Sequence, residues 1–135
     1  MRETVTVADP QAAVDDIYKS IGDYDAAALS SWRLSDNLNA DKDKILEYYG
    51  KISNINSGLA DVVMLLPKEN EVESTRLVLG KYKELRIAEF ENYDILDAYS
   101  IAQNAVIYEQ GGYVILLMLK DNDSARAIVD KYIPL

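Results

Sequence analysis

Apolar and polar positions recur with two different periods along this chain, and the plainest stretch begins at Gly58. Residues 59–66 contain the unbroken run Val62-Val63-Met64-Leu65-Leu66, closed by Pro67. A run apolar on both faces, of strand length and bounded by Gly and Pro, predicts an interior strand. Asn70 stands three residues before Glu73, the spacing of a capping box, and predicts the start of a long helix. The expected inward stripe is Val72, Thr75, Val78, Leu79, Tyr82 and Leu85. Lys81, Lys83, Glu84 and Arg86 fall on the wetter side, and the helix is expected to fray over residues 90–93. Two β-rich runs, Ala105-Val106-Ile107-Tyr108-Glu109 and Tyr113-Val114-Ile115-Leu116-Leu117-Met118-Leu119, flank Gly111-Gly112. Such a pair predicts a hairpin. The second run is apolar on both faces and suits a central strand; the first alternates more and suits an edge. Asp121, Asn122 or Asp123 then caps a last helix carrying Ala127, Ile128, Val129 and Tyr132, which ends at Ile133-Pro134.

The first half is less regular. Asp9 and Pro10 read as the N-cap and first residue of a helix whose apolar positions are Ala13, Val14, Ile17, Tyr18 and Ile21, stopped by Gly22. Residues 23–38 show no clean period, and Ser30-Ser31-Trp32-Arg33-Leu34 reads as a short extended segment. Asp41 or Asp43 is expected to cap a short helix through Ile45, Leu46, Tyr48 and Tyr49, ended by Gly50. From residue 59 the order is therefore β-α-β-β-α, preceded by helices. The crossover helix makes the first two strands parallel, and the hairpin makes the third antiparallel to its partner. Placing the two most apolar strands side by side gives the order 1-3-2. The expectation is a single two-layer α+β domain over residues 1–135, with a small mixed three-stranded sheet.

Composition narrows the function. At 135 residues with 49% hydrophobic content, the chain has room for one core. The net charge of -9 and the absence of any basic cluster beyond pairs such as Lys42 and Lys44 oppose nucleic-acid binding. The same charge opposes direct adsorption to anionic lipid. No apolar run approaches the ~18 residues that span a bilayer. The opening Met1-Arg2-Glu3-Thr4-Val5 has no hydrophobic segment, so no signal peptide is expected in it, although a leader removed earlier would leave no trace.

With no histidine and no cysteine, Ser-His-Asp and Cys-His nucleophiles, thiolate or imidazole zinc sites and iron–sulfur clusters are excluded. Paired carboxylates of the glycosidase type remain open, but 23 acidic residues supply such pairs by chance as solvated surface charge. No Ser-x-x-Lys stands on a strand-to-helix turn, and Gly111-Gly112 is no phosphate loop. Asp121-Asn122-Asp123 resembles the opening of a calcium loop, yet its fifth, sixth and twelfth positions hold Ala125, Arg126 and Tyr132, so the motif fails. No catalytic, cofactor-binding or metal residue is assigned, and no cofactor is expected. The compositional oddity is ten Tyr against one Phe and one Trp. Tyr48, Tyr49 and Trp32 are the first candidates for a surface that stacks a sugar or holds a peptide. The plainer placement has Tyr18, Tyr82, Tyr113 and Tyr132 lining the core with their hydroxyls at the rim.

Tyr49-Gly50, Ala60-Asp61-Val62-Val63-Met64 and the long helix closing at Phe90-Glu91-Asn92-Tyr93 form the first part of a wider pattern. Asn104-Ala105-Val106-Ile107, Gly112-Tyr113-Val114-Ile115 and the acid-capped last helix complete it. Over residues 44–133 the chain resembles the domain of unknown function 4358 family, found mostly in short lipoproteins of Gram-positive bacteria. The resemblance implies an exported, lipid-anchored, extracytoplasmic protein, and it brings no activity, ligand or site residue. The family often has a glutamate where Asp61 stands and an arginine where Lys81 or Lys83 stands, so Asp61 with Lys81 would be a weaker version of a structural pair. It also favours a proline soon after the position of Tyr93, where Asp94-Ile95-Leu96 stands. The functional expectation is a non-enzymatic binding or interaction domain for a protein, peptide or glycan. The alternatives are a carboxylate-dependent enzyme on a cell-envelope substrate and a domain that pairs with itself, as a homodimer, through the edge at residues 105–109.

Overall fold

The computed structural model describes residues 7–22, 25–54 and 58–135; the opening residues 1–5, read above for a leader, lie outside them. The elements in chain order are α1 (Pro10–Ile21), β1 (Ala26–Ala28), α2 (Ser31–Asp36), β2 (Ile45–Ser53), β3 (Asp61–Pro67), α3 (Val72–Glu91), α4 (Ala98–Gln103), β4 (Val106–Gln110), β5 (Tyr113–Met118) and α5 (Asn122–Tyr132). The fold is α+β, with five helices and one five-stranded sheet among the described residues. Every neighbouring pair of strands is antiparallel, and the order is β1-β2-β3-β5-β4.

Two apolar strands belong side by side because each has two faces to bury. β3 lies at the centre and pairs with β5, Val63 opposite Leu116 and Met64 opposite Ile115. Val63, Leu65, Val114, Leu116 and Met118 face a core with Leu34, Leu79, Tyr82, Phe90 and Ile101, supplied by α2, α3 and α4. Val62, Met64, Ile115 and Leu117 face the opposite core, with Val14 and Ile17 from α1 and Ala125 and Val129 from α5. β4 is an edge strand joined to β5 by the two-residue turn Gly111-Gly112, whose φ angles of 59° and 87° favour glycine.

Several expectations change. The 1-3-2 order of the three expected strands is present as β3-β5-β4, with β3 and β4 running the same way. The sheet is five-stranded and antiparallel, however, not three-stranded and mixed, because β1 and β2 extend it on the far side of β3. Helices cover both faces, so the two-layer arrangement becomes three layers. The helix expected through Tyr48 and Tyr49 is strand β2. Its register shifts between Ile45 and Glu47, leaving Leu46 bulged and exposed. The bulge puts Ile45 and Tyr48, three residues apart, against the same core, which imitates a helical period. Gly50 (φ 139°) lets β2 approach β3 closely: a Cβ there would fall 2.0 Å from the Val62 carbonyl oxygen.

The segment expected to be extended at residues 30–34 is helix α2, capped by the Ser30 hydroxyl accepting from the Arg33 amide at 3.2 Å. Asn70 is not a cap; it takes φ 68° in the turn before α3, and Glu71 is the N-cap without a side-chain cap bond. α1 and α5 begin where expected, with Asp9 and Asp121 accepting from the amides of Ala12 and Ser124.

Candidate functional site

The end of β2, the start of β3 and the inward face of α3 meet around one carboxylate. Asp61 opens β3 and is wholly buried. Its Oδ1 accepts from the backbone amide and the hydroxyl of Ser53, both at 2.8 Å. Its Oδ2 accepts from the Tyr82 hydroxyl at 2.5 Å and Arg86 Nε at 3.1 Å. Arg86 Nε also donates to the Tyr82 oxygen at 2.9 Å, Nη2 to the Ser53 carbonyl at 3.0 Å, and Nη1 to both oxygens of Glu89 at 3.1 Å. Thr75, Leu79, Tyr82, Arg86 and Phe90 recur every three or four residues, so the turn of the helix itself delivers the phenol and the guanidinium to the sheet.

Burying these groups is expensive unless each finds partners, and here they supply one another. Burial, reinforced by the Asp61 charge, pushes the Tyr82 phenol well above its ordinary value, so it stays a donor. Burial works against the charged form of Arg86, but Asp61, Tyr82 and Glu89 outweigh it and the net direction is upward.

Outside this knot lies a polar pocket of about 480 Å³, lined among others by Asp25, Arg33, Asn37, Ser53, Asn54, Arg86 and Glu89. Arg86 and Glu89 form a wall already committed to each other. Arg33, on α2, differs. Its one polar side-chain contact among the described residues is Nη1 to Asn37 Oδ1 at 3.5 Å, and its guanidinium lies over the Trp32 ring, 5.5 Å from the centroid. With the carboxylate sealed and a cation left facing the pocket, the arrangement suits recognition of a ligand.

The family model for a domain of unknown function, DUF4358, matches residues 19–119. The chain belongs to the DUF4358 family. No curated protein and no solved structure matches it. Membership in DUF4358 brings no ligand and no site residue. The pairing expected between Asp61 and Lys81 is replaced by Asp61 with Arg86. Lys81 is exposed on α3, and Lys83 donates to the Ala105 carbonyl at 2.9 Å. The signal for Arg86 was present: it lies four residues after Tyr82 and four before Phe90. Leu85, assigned inward, is 61% exposed.

The proposed aromatic surface is divided. Trp32 is exposed and touches the pocket only through Arg33, whose guanidinium lies over its ring. Tyr48 packs against the α3 core and Tyr49 against the opposite one, where its ring meets Tyr113 edge-on and both hydroxyls donate to Glu47. Tyr18, Tyr82 and Tyr113 are buried, and Tyr132 is half-buried with its hydroxyl donating to Asp16. In the calcium-like tripeptide, Asp121 caps α5 while Asn122 accepts from Leu119 N and donates to the Asn104 carbonyl. Among the described residues no three acidic, histidine or cysteine side chains gather to hold a metal, and no helix is long and apolar enough to cross a membrane. Leu77 and Leu85, both exposed, line a separate groove of about 710 Å³ beside α3. The expected interface strand is the sheet edge β4, where Glu109 pairs with Arg76 at 2.8 Å.

Proposed function

We propose that this DUF4358 domain is an extracytoplasmic binding module, carried outside the membrane by a lipid anchor and holding its ligand without transforming it. One observation carries the binding half of this reading. The deepest carboxylate, Asp61, has four donors and no solvent, while the pocket beside it stays open. A general acid or nucleophile needs an accessible atom within reach of substrate; a recognition site needs a rigid wall and free donors, which Arg86–Glu89 and Arg33 supply. The localisation half rests on family resemblance.

The test uses the full-length gene product in its own host. Labelled palmitate should be incorporated, and protease added to intact protoplasts should digest the protein. An unlabelled, protected protein overturns the localisation. For binding, cell-envelope extract passed over the immobilised domain should yield a retained component that elutes chemically unchanged; an altered product would favour a carboxylate-dependent enzyme instead.

A further inference from the structure

We infer that the polar pocket takes the carboxylate of a small polar ligand, with Arg33 as its anchor and Asn37 as the second donor; this deepens the binding reading above and rests on it. The pocket contains two guanidinium groups with opposite histories. Arg86 is spent: its donors go to Asp61, Tyr82, Glu89 and the Ser53 carbonyl. Arg33 makes no ion pair among the described residues, although the chain has 23 acidic side chains against 14 basic ones. In so acidic a chain, a half-buried arginine that lines a cavity and meets no carboxylate is a cation whose partner comes from outside.

Two neighbours contact it. The indole of Trp32 supports the guanidinium from one side, and Asn37 Oδ1 meets Nη1. With its oxygen so used, Asn37 keeps its amide N–H donors beside those of Arg33. Fork and amide together match the two oxygens of a carboxylate. A dianion such as a phosphate monoester is disfavoured, because Glu89 and Asp25 line the same cavity and like charge opposes it. A monoanion whose remainder is neutral fits better, since the other walls combine the Asn37 and Asn54 amides with the apolar side chains of Ala27 and Ile52. The volume of about 480 Å³ suits one or two sugar or amino-acid units. That chemistry has two sources, an acidic sugar or the free C-terminus of a short peptide.

Trp32 is the sole tryptophan, and with the Arg33 guanidinium 5.5 Å from its ring centroid its fluorescence reports on the surroundings of Arg33. The full chain is titrated with glucuronic acid and with glucose, and with N-acetyl-Ala-Ala as the free acid and as the amide. One of the two acids should change Trp32 emission saturably while its neutral counterpart does not, and the acid that binds identifies the source. Arg33→Gln should weaken that binding about tenfold or more. Arg33→Lys, which keeps the charge but loses the fork, should weaken it less, and Lys81→Gln should leave it unchanged. Both Arg33 variants should unfold at the wild-type urea midpoint. Equal binding of acid and neutral counterpart, wild-type affinity in Arg33→Gln, or no binding by any of the four probes overturns the carboxylate proposal. The broader reading is decided separately, by palmitate labelling, protease access and the retained envelope component.

Discussion

Tyr108 shows how a single side chain can be legible as core and yet hide its chemistry. Its ring packs with the α1–α5 core, Arg126 lies over it at 4.0 Å, and its hydroxyl is buried without a partner among the described residues. An unsatisfied buried hydroxyl costs about 1–3 kcal/mol, while the cation–π contact needs only the ring face. Burial pushes the phenol up to about 12, with Asp130 adding to the effect and Arg126 opposing it. A phenol raised in the folded state contributes stability that is complete below its unfolded value near 10 and is lost as pH climbs toward 12. The stability lost over that range is on the order of 2 kcal/mol at most, because solvent screens a group that is only partly buried. Tyr108→Phe should therefore be as stable as wild type or about 1 kcal/mol more stable at pH 7. It should also lose less stability between pH 10 and 12. Urea unfolding at both pH values checks this, and a variant clearly weaker at neutral pH would mean that the hydroxyl has a partner after all. A tyrosine-rich composition foretells buried rings; which hydroxyl lacks a partner is set by neighbours distant in the chain.

At the scale of the element, the long helix is legible in existence and extent, and so is most of its inward face, Thr75, Leu79 and Tyr82 included. Leu85 is apolar and Arg86 charged, so polarity points the leucine inward. The spacing of Thr75, Leu79, Tyr82 and Phe90 selects Arg86 instead, and Asp61 makes its burial tolerable. A charged pair broken across a packed interface hides from any residue-by-residue scale. Strand β2 hides for another reason: its bulge at Leu46 breaks the two-residue period that identifies a strand. The Asp61–Arg86 pair ties α3 to the sheet, and its energetics can be tested as a pair. Asp61→Ala alone leaves a buried guanidinium without its main counter-charge and should cost about 3–5 kcal/mol. Adding Arg86→Met replaces that stranded charge with an apolar chain, so the double variant should be destabilised by much less than the sum of the singles. Urea midpoints with unchanged slopes provide the measurement. Additive losses would show that the two side chains act independently, contrary to the geometry.

Across the whole molecule, the two apolar strands determine more than their own positions. A strand apolar on both faces requires cover on both sides, and in β3 and β5 that demand was visible in the residues before any partner was placed. What the sequence left hidden was that α1 and α5, at opposite ends of the chain, supply the second cover jointly. The Asp9 amide donates to the Tyr132 carbonyl at 2.8 Å, and Gln110 Nε2 to the Ile133 carbonyl at 3.0 Å, fastening both ends over the same face. The family match ends at residue 119 and begins inside α1, so it omits all of α5 and most of α1. The packed core accordingly extends beyond the residues that match. Cutting the chain after residue 119 would remove Ala125, Val129 and Ile133 and bare Val62, Met64, Ile115 and Leu117. Burial of each large apolar side chain contributes about 1.5–3 kcal/mol, so the loss rivals the entire net stability of about 5–15 kcal/mol. The shortened chain should show no cooperative urea transition and should bind a hydrophobic dye that the full chain does not. A sharp transition near the wild-type midpoint would mean that the α1–α5 layer is an appendage, and that the α2–α3–α4 face alone holds the sheet together.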